Sequence, residues 1–160
     1  MNVPFYEKLW MWASGVLIVA FLATIVAGVA GSALAPPSHV ETIDPTKVWS
    51  DPRFARRSVT VDDRGATVVA VSMMFAFVPA EIRVPAGRPV TFRLTSADVI
   101  HGFQIVGTNG NTMIVPGYVS QFTTVFREPG EYLIVCNEYC GLGHHVMSAK
   151  LIVEEPRGGP

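Results

Sequence analysis

The 160-residue chain reads as one membrane-crossing helix followed by a mainly β domain, a sandwich or small barrel. Two observations predict this. An uncharged stretch runs from Leu9 to Ser38, and the last hundred residues break into short runs rich in Val, Ile, Thr and Phe. The composition agrees. Hydrophobic residues make up 49% and charged residues 16%, against about 25% charged in an average soluble domain. Such apolarity excludes intrinsic disorder. A net charge of −1 leaves no electrostatic footprint for nucleic acid, and two cysteines cannot build a disulfide scaffold.

Within the uncharged stretch, Leu9 to Ala30 is a 22-residue apolar run. At 1.5 Å per residue it spans about 33 Å, enough for a hydrocarbon core of about 30 Å. Tyr6, Lys8, Trp10 and Trp12 read as an interfacial anchor at its start. A secretory signal peptide is the rival, and Ala33-Leu34-Ala35 resembles a cleavage site. Signal cores, however, run to only about 7–15 residues. A retained anchor over 1–35 is therefore expected. Lys8 on one side, with Glu41 and Asp44 on the other, leans towards a cytoplasmic N-terminus and an external C-terminal domain.

Residues 36–57 carry Pro36, Pro37, Pro45 and Pro52 without sustained periodicity, which predicts a stiff, extended connector. The β domain is expected over 58–155, with 156–160 as a tail. Its strand runs are 58–63, 66–77, 81–87, 88–96, 100–107, 120–126, 131–136 and 149–155. Turn signals at Arg64-Gly65, Pro85-Ala86-Gly87, Asn109-Gly110, Pro116-Gly117 and Pro129-Gly130 separate them. Thr91, Arg93 and Thr95 alternate with Phe92 and Leu94, the period-two pattern of a half-buried strand. No window beyond the anchor has a helical period.

A sandwich hosts many functions, so function must come from a site. Both cysteines lie in Cys136-Asn137-Glu138-Tyr139-Cys140-Gly141-Leu142-Gly143-His144-His145-Val146-Met147, a loop between two strands. Upstream, His101 sits at a strand edge. Thiolate, imidazole and thioether form a soft donor set that favours copper over magnesium, calcium or manganese. A mononuclear blue-copper site uses one Cys, two His and a weak Met, which leaves one cysteine over. Two thiolates can instead bridge two copper ions, each capped by an imidazole, so that one electron is shared and each bond moves little on redox change. The bland readings are a local Cys136–Cys140 disulfide, an ordinary His101, and Met147 as core packing. Their joint spacing, C-x3-C-x3-H-x2-M with an upstream histidine, favours metal. His39 and His145 read as surface residues.

The loop CNEYCGLGHHVM resembles the dinuclear copper (CuA) loop of cytochrome c oxidase subunit II, and TSADVIHGF resembles that family's first-histidine segment. PGEYLIVCNEYCGLGH, with Phe126 and Arg127 before it, looks most like the B-family haem-copper oxidases of thermophiles. The resemblance implies a cupredoxin-like Greek-key sandwich behind a single membrane helix. It implies that Cys136 and Cys140 bridge two coppers, that His101 and Met147 complete one, and that His144 and the Glu138 carbonyl complete the other. Asp98 would orient a ligand imidazole or a neighbouring loop. The Glu138 side chain matches the A-family pattern, where a carboxylate helps hold magnesium at the interface with subunit I. Phe75-Ala76-Phe77 resembles the aromatic strand beside the copper loop, an electron-entry patch, although alternation would equally put Phe75 and Phe77 together in the core. The implied activity is electron entry. A cytochrome c delivers electrons to the copper pair, which passes them to haem in subunit I, where oxygen is reduced and protons are pumped. The implied place is the plasma membrane of a prokaryote, in contact with lipid. Alternatives are the copper module of a nitric oxide or nitrous oxide reductase, and a tethered mononuclear cupredoxin or copper-delivery protein. With no acidic block in the domain, docking of the donor is expected to be apolar and weakly salt-dependent.

Overall fold

The computed structural model describes residues 3–30 and 40–155. The Ala33–Ala35 segment, Pro36, Pro37, His39 and the tail 156–160 lie outside the described residues. The chain forms two units, divided between His39 and Val40.

Among its described residues the first unit is one helix, α1 (Val3–Ala30). Its 28 residues make it about 42 Å long. Apolar side chains cover every face, and the helix is long and apolar enough to cross a membrane. The Thr24 hydroxyl donates to the Phe21 carbonyl at 2.7 Å, so this polar group is satisfied inside the helix.

The second unit begins earlier than the β pattern suggests. Residues 40–57 do not form an extended connector. Asp44 and Asp51 each accept a backbone N–H from two residues on, and each precedes a proline. That pairing of a capping carboxylate with proline starts a helix. The results are a 3-10 turn at Pro45–Lys47 and a short helix, α2 (Pro52–Ala55). They bury Val48 and Phe54 completely, beside Ile43 and Val71. Glu41 accepts from Arg53 at 2.6 Å and from Arg93 at 2.5 and 2.7 Å, tying the segment to the sheet. Pro45 and Pro52 therefore start helical turns instead of stiffening a linker.

Among the described residues ten strands follow: β1 (Val59–Asp62), β2 (Gly65–Met73), β3 (Ala76–Val78), β4 (Glu81–Pro85), β5 (Pro89–Ser96), β6 (His101–Ile105), β7 (Asn111–Ile114), β8 (Ser120–Val125), β9 (Gly130–Val135) and β10 (Ser148–Glu154). One sheet has the order β1-β2-β5-β8 with β3 also on β2, and the other β4-β10-β9-β6-β7. β2–β5 and β4–β10 are parallel, the remaining pairs antiparallel. The core between the sheets is aromatic: Phe92 stacks on Phe122 at 4.9 Å, and Phe103 meets Phe77 edge-on at 5.5 Å. Alternation in β5 holds as expected, with Val90, Phe92 and Leu94 inside.

Two features depart from the sequence pattern. β7 has only Ile114 fully buried, so its four residues carry too little apolar signal to stand out. The run 66–77 is broken by a tight turn at Met74–Phe75. Phe75 and Phe77 consequently do not share a face: Phe77 is in the core at 1% exposure, while Phe75 is 36% exposed.

Candidate metal centre

β9 and β10 are hydrogen-bonded neighbours, and their connection is the cysteine loop. The Cys136 N–H donates to the Met147 carbonyl at 3.2 Å and closes the base of that loop. Both ends are thus held by the sheet. β6 supplies the upstream histidine. Gln104 pairs with Val135 and Ile105 with Ile134, and continuing that register sets Gly102 opposite Asn137 and His101 opposite Glu138. No Cβ fits on Gly102, because it would run into Asn137 Oδ1 and lie 2.8 Å from the Glu138 nitrogen. A glycine there lets the two segments close.

This closure gathers the predicted donors. Cys136 Sγ and Cys140 Sγ are 3.8 Å apart. His101 Nδ1 is 3.9 Å from Cys136 Sγ, and the Glu138 carbonyl oxygen is 3.1 Å from it. His144 Nδ1 and Met147 Sδ each lie 3.7 Å from Cys140 Sγ. His101, both cysteines and Met147 are buried, His144 is half-buried, and the Glu138 side chain is exposed. Both cysteines are free, far beyond the roughly 2.05 Å of a disulfide. His145 is exposed, as a surface residue should be.

Asp98 is built into the site. Its Oδ1 is 2.8 Å from His101 Nε2. Its Oδ2 accepts the Met74 N–H at 2.6 Å, and Oδ1 the Val99 N–H at 2.6 Å. Burial works against its charge, but the hydrogen bonds from His101, Met74 and Val99 outweigh burial and hold its pKa below the usual aspartate range. With Nε2–H donated to Asp98, the His101 Nδ1 lone pair faces the sulfurs, the arrangement second-sphere carboxylates impose on metal-binding imidazoles.

The donor chemistry fits a soft cation. Burial, together with the neighbouring Cys136, pushes the Cys140 thiol up to about 11. A bound cation reverses that balance, since coordination deprotonates a thiol outright. The 3.8 Å sulfur separation is shorter than two metal–thiolate bonds of about 2.3 Å each, so an ion on either side of the sulfur pair can touch both. Imidazole, thioether and thiolate suit copper better than a hard ion.

Residues 56–155 match the family profile described as cytochrome c oxidase subunit II, periplasmic domain. The chain belongs to that family. It is 40% identical over 157 residues to a cytochrome c oxidase subunit 2 of Thermus thermophilus, covering 94% of this chain and 92% of that one. A second Thermus thermophilus subunit 2 is 42% identical over 139 residues, covering 84% of this chain and 98% of the relative. Among solved structures, a subunit of a haem-copper terminal oxidase dimer superposes with a TM-score of 0.59 at 32% identity, covering 92% of this chain and 99% of that one. The periplasmic domain of subunit II from Bradyrhizobium japonicum superposes with a TM-score of 0.53 at 20% identity, over 60% of this chain and 88% of that one, and shares the fold.

As a subunit II chain, this protein is part of an oxidoreductase complex in which its role is electron transfer. The sandwich is cupredoxin-like, and the apolar helix with a periplasmic-type domain indicates a membrane location. Three glycines of the site carried no weight in the sequence reading. Gly102 closes β6 onto the loop, and Gly141 and Gly143 sit under Phe75. Their signal was present in the spacings HG and CGLGH.

Proposed function

We propose that this chain is the electron-entry subunit of a proton-pumping terminal oxidase and holds a two-copper CuA centre. What supports this reading is one observation: two reduced, buried sulfurs 3.8 Å apart, with an imidazole near each, a thioether and a carbonyl. A copper pair bound there would supply a one-electron site whose charge is spread over two metals. Cys136 and Cys140 would bridge it, His101 and Met147 would complete one ion, and His144 with the Glu138 carbonyl the other. Asp98 keeps the His101 lone pair aimed inward. His101, Cys136, Cys140 and Met147 are buried, which suits transfer and not chemistry on a substrate at the metal.

In this reading the chain takes electrons from cytochrome c, with Phe75 at the exposed rim as the entry point, and hands them to haem in subunit I, where oxygen is reduced. The exposed Glu138 carboxylate would share a magnesium ion with subunit I, being a hard oxygen donor. The helix would anchor the chain in a prokaryotic plasma membrane, cytoplasmic at its N-terminus, with the copper domain outside. The test is purification from native membrane with its companion chains. Two coppers per chain, a mixed-valence spin shared over two nuclei, and co-purifying haem are expected. One copper per chain, or a Cys136–Cys140 disulfide in metal-replete material, overturns the paired site. Co-purification with a nitric oxide or nitrous oxide reductase replaces the oxidase.

A further inference from the structure

We propose that Phe75 is a positioning residue, a brace that holds the Cys140–His144 segment in place and links it to His101. Only its consequence for metal retention rests on the copper reading above. The first observation is steric. The Phe75 ring lies against the backbone of the cysteine loop, where a Cβ on Gly143 would come within 2.5–2.9 Å of three ring atoms, and one on Gly141 within 3.0–3.1 Å of two. Gly143 has φ −90°, which any residue adopts. The ring, and not the backbone, accounts for the glycine at 143.

The second observation is what holds the ring. Phe75 sits in the turn between β2 and β3, and the preceding Met74 N–H donates to Asp98 Oδ2 at 2.6 Å. The same carboxylate contacts His101 Nε2 at 2.8 Å. One chain of contacts therefore runs from His101 through Asp98 and the Met74–Phe75 turn to Gly143 and His144. It joins the imidazole beside Cys136 to the one beside Cys140.

The third observation is that the rest of the segment's outer side is open to solvent: the Tyr139 ring, 5.8 Å from that of His144, is itself exposed. Leu142 is 91% and Val146 66% exposed. The turn's own bonds are His144 N–H to the Gly141 carbonyl at 3.1 Å, Val146 N–H to Gly143 at 3.2 Å and Met147 N–H to His144 at 3.1 Å. Bonds of this kind next to solvent open easily unless packing covers them. Phe75 supplies that cover.

Hydrogen exchange of the full chain in detergent, reduced and metal-free, tests the brace without depending on copper. In Phe75→Ala the amides of His144, Val146 and Met147 should exchange about tenfold faster or more, with β5 and β9 unchanged. Phe75→Tyr, which keeps the ring, should exchange like the parent. Gly143→Ala reads the same contact from the loop side and should reproduce the loss, which keeps the test decisive if Phe75→Ala loosens the whole sandwich. Unchanged loop exchange in Gly143→Ala, or Phe75→Tyr behaving like the alanine variant, overturns the proposal. After copper loading, loss of metal to a chelator should accelerate in the same order. Loop exchange that responds in a protein binding no copper pair would keep the brace and reject the copper reading. A copper pair in a protein whose loop does not respond would do the reverse.

Discussion

Replacing Gly102 by alanine puts a methyl group where the metal loop already lies. The added carbon would collide with Asn137 Oδ1 and sit 2.8 Å from the Glu138 nitrogen. Asn137 is exposed, and its side chain can swing away. The Glu138 nitrogen is backbone and must move by about 0.6 Å to go from 2.8 Å to an ordinary contact of 3.4 Å. That peptide is one residue's backbone away from the carbonyl that lies 3.1 Å from Cys136 Sγ. Overpacking of this kind costs about 1–3 kcal/mol. If the strain is relieved by moving the loop, copper affinity should fall by about 5- to 150-fold. The assay is competition against a chelator of known affinity, run on the full chain in detergent, beside thermal unfolding of the metal-free form. Affinity unchanged within about twofold would refute the reasoning, because it would mean that the closure of β6 on the loop does not set the ligand geometry.

Other outcomes follow from the same contacts. Phe54→Ala should destabilise the domain by about 3 kcal/mol, since the ring is fully buried under residues 40–57; a loss below about 1 kcal/mol in urea unfolding would return that segment to a connector. Burial opposes the Glu41 charge, but hydrogen bonds from Arg93 and Arg53 outweigh it and depress its pKa. Its contribution is then complete above the ordinary glutamate value of about 4.3 and is lost as the pH falls through the lower folded value. Glu41→Gln should be less stable at pH 7 and show a flatter acid limb, and parallel curves would exclude the ion pairs as the cause. Past the anchor there are 11 basic and 12 acidic residues, and exposed Leu142, Tyr139 and Val146 flank the centre. Donor oxidation should therefore change little with added salt, and a steep fall would point to charge-led docking.

Much of this molecule is local and was legible in order. The apolar run, the period-two strands and the spacing of Cys136, Cys140, His144 and Met147 are chemistry written along the chain, so the fold class and the candidate donors could be read without coordinates. The same local reading failed where one residue type serves two ends. Pro45 and Pro52 stiffen a chain when nothing precedes them, but after Asp44 and Asp51 they start helices, and burial of Phe54 decided between these outcomes. Alternation placed Phe75 and Phe77 together until a tight turn separated them.

What the sequence alone determined is which candidate soft donors lie at metal-binding spacing and that a helix long and apolar enough to cross a membrane precedes them. Only the tertiary structure decided how those atoms meet. His101 is 35 residues from Cys136, and pairing of β6 with β9 brings them together. Asp98, Gly102, Gly143 and Phe75 take their roles from that meeting, because a contact between distant segments depends on sheet register and available space, which no single stretch of chain contains.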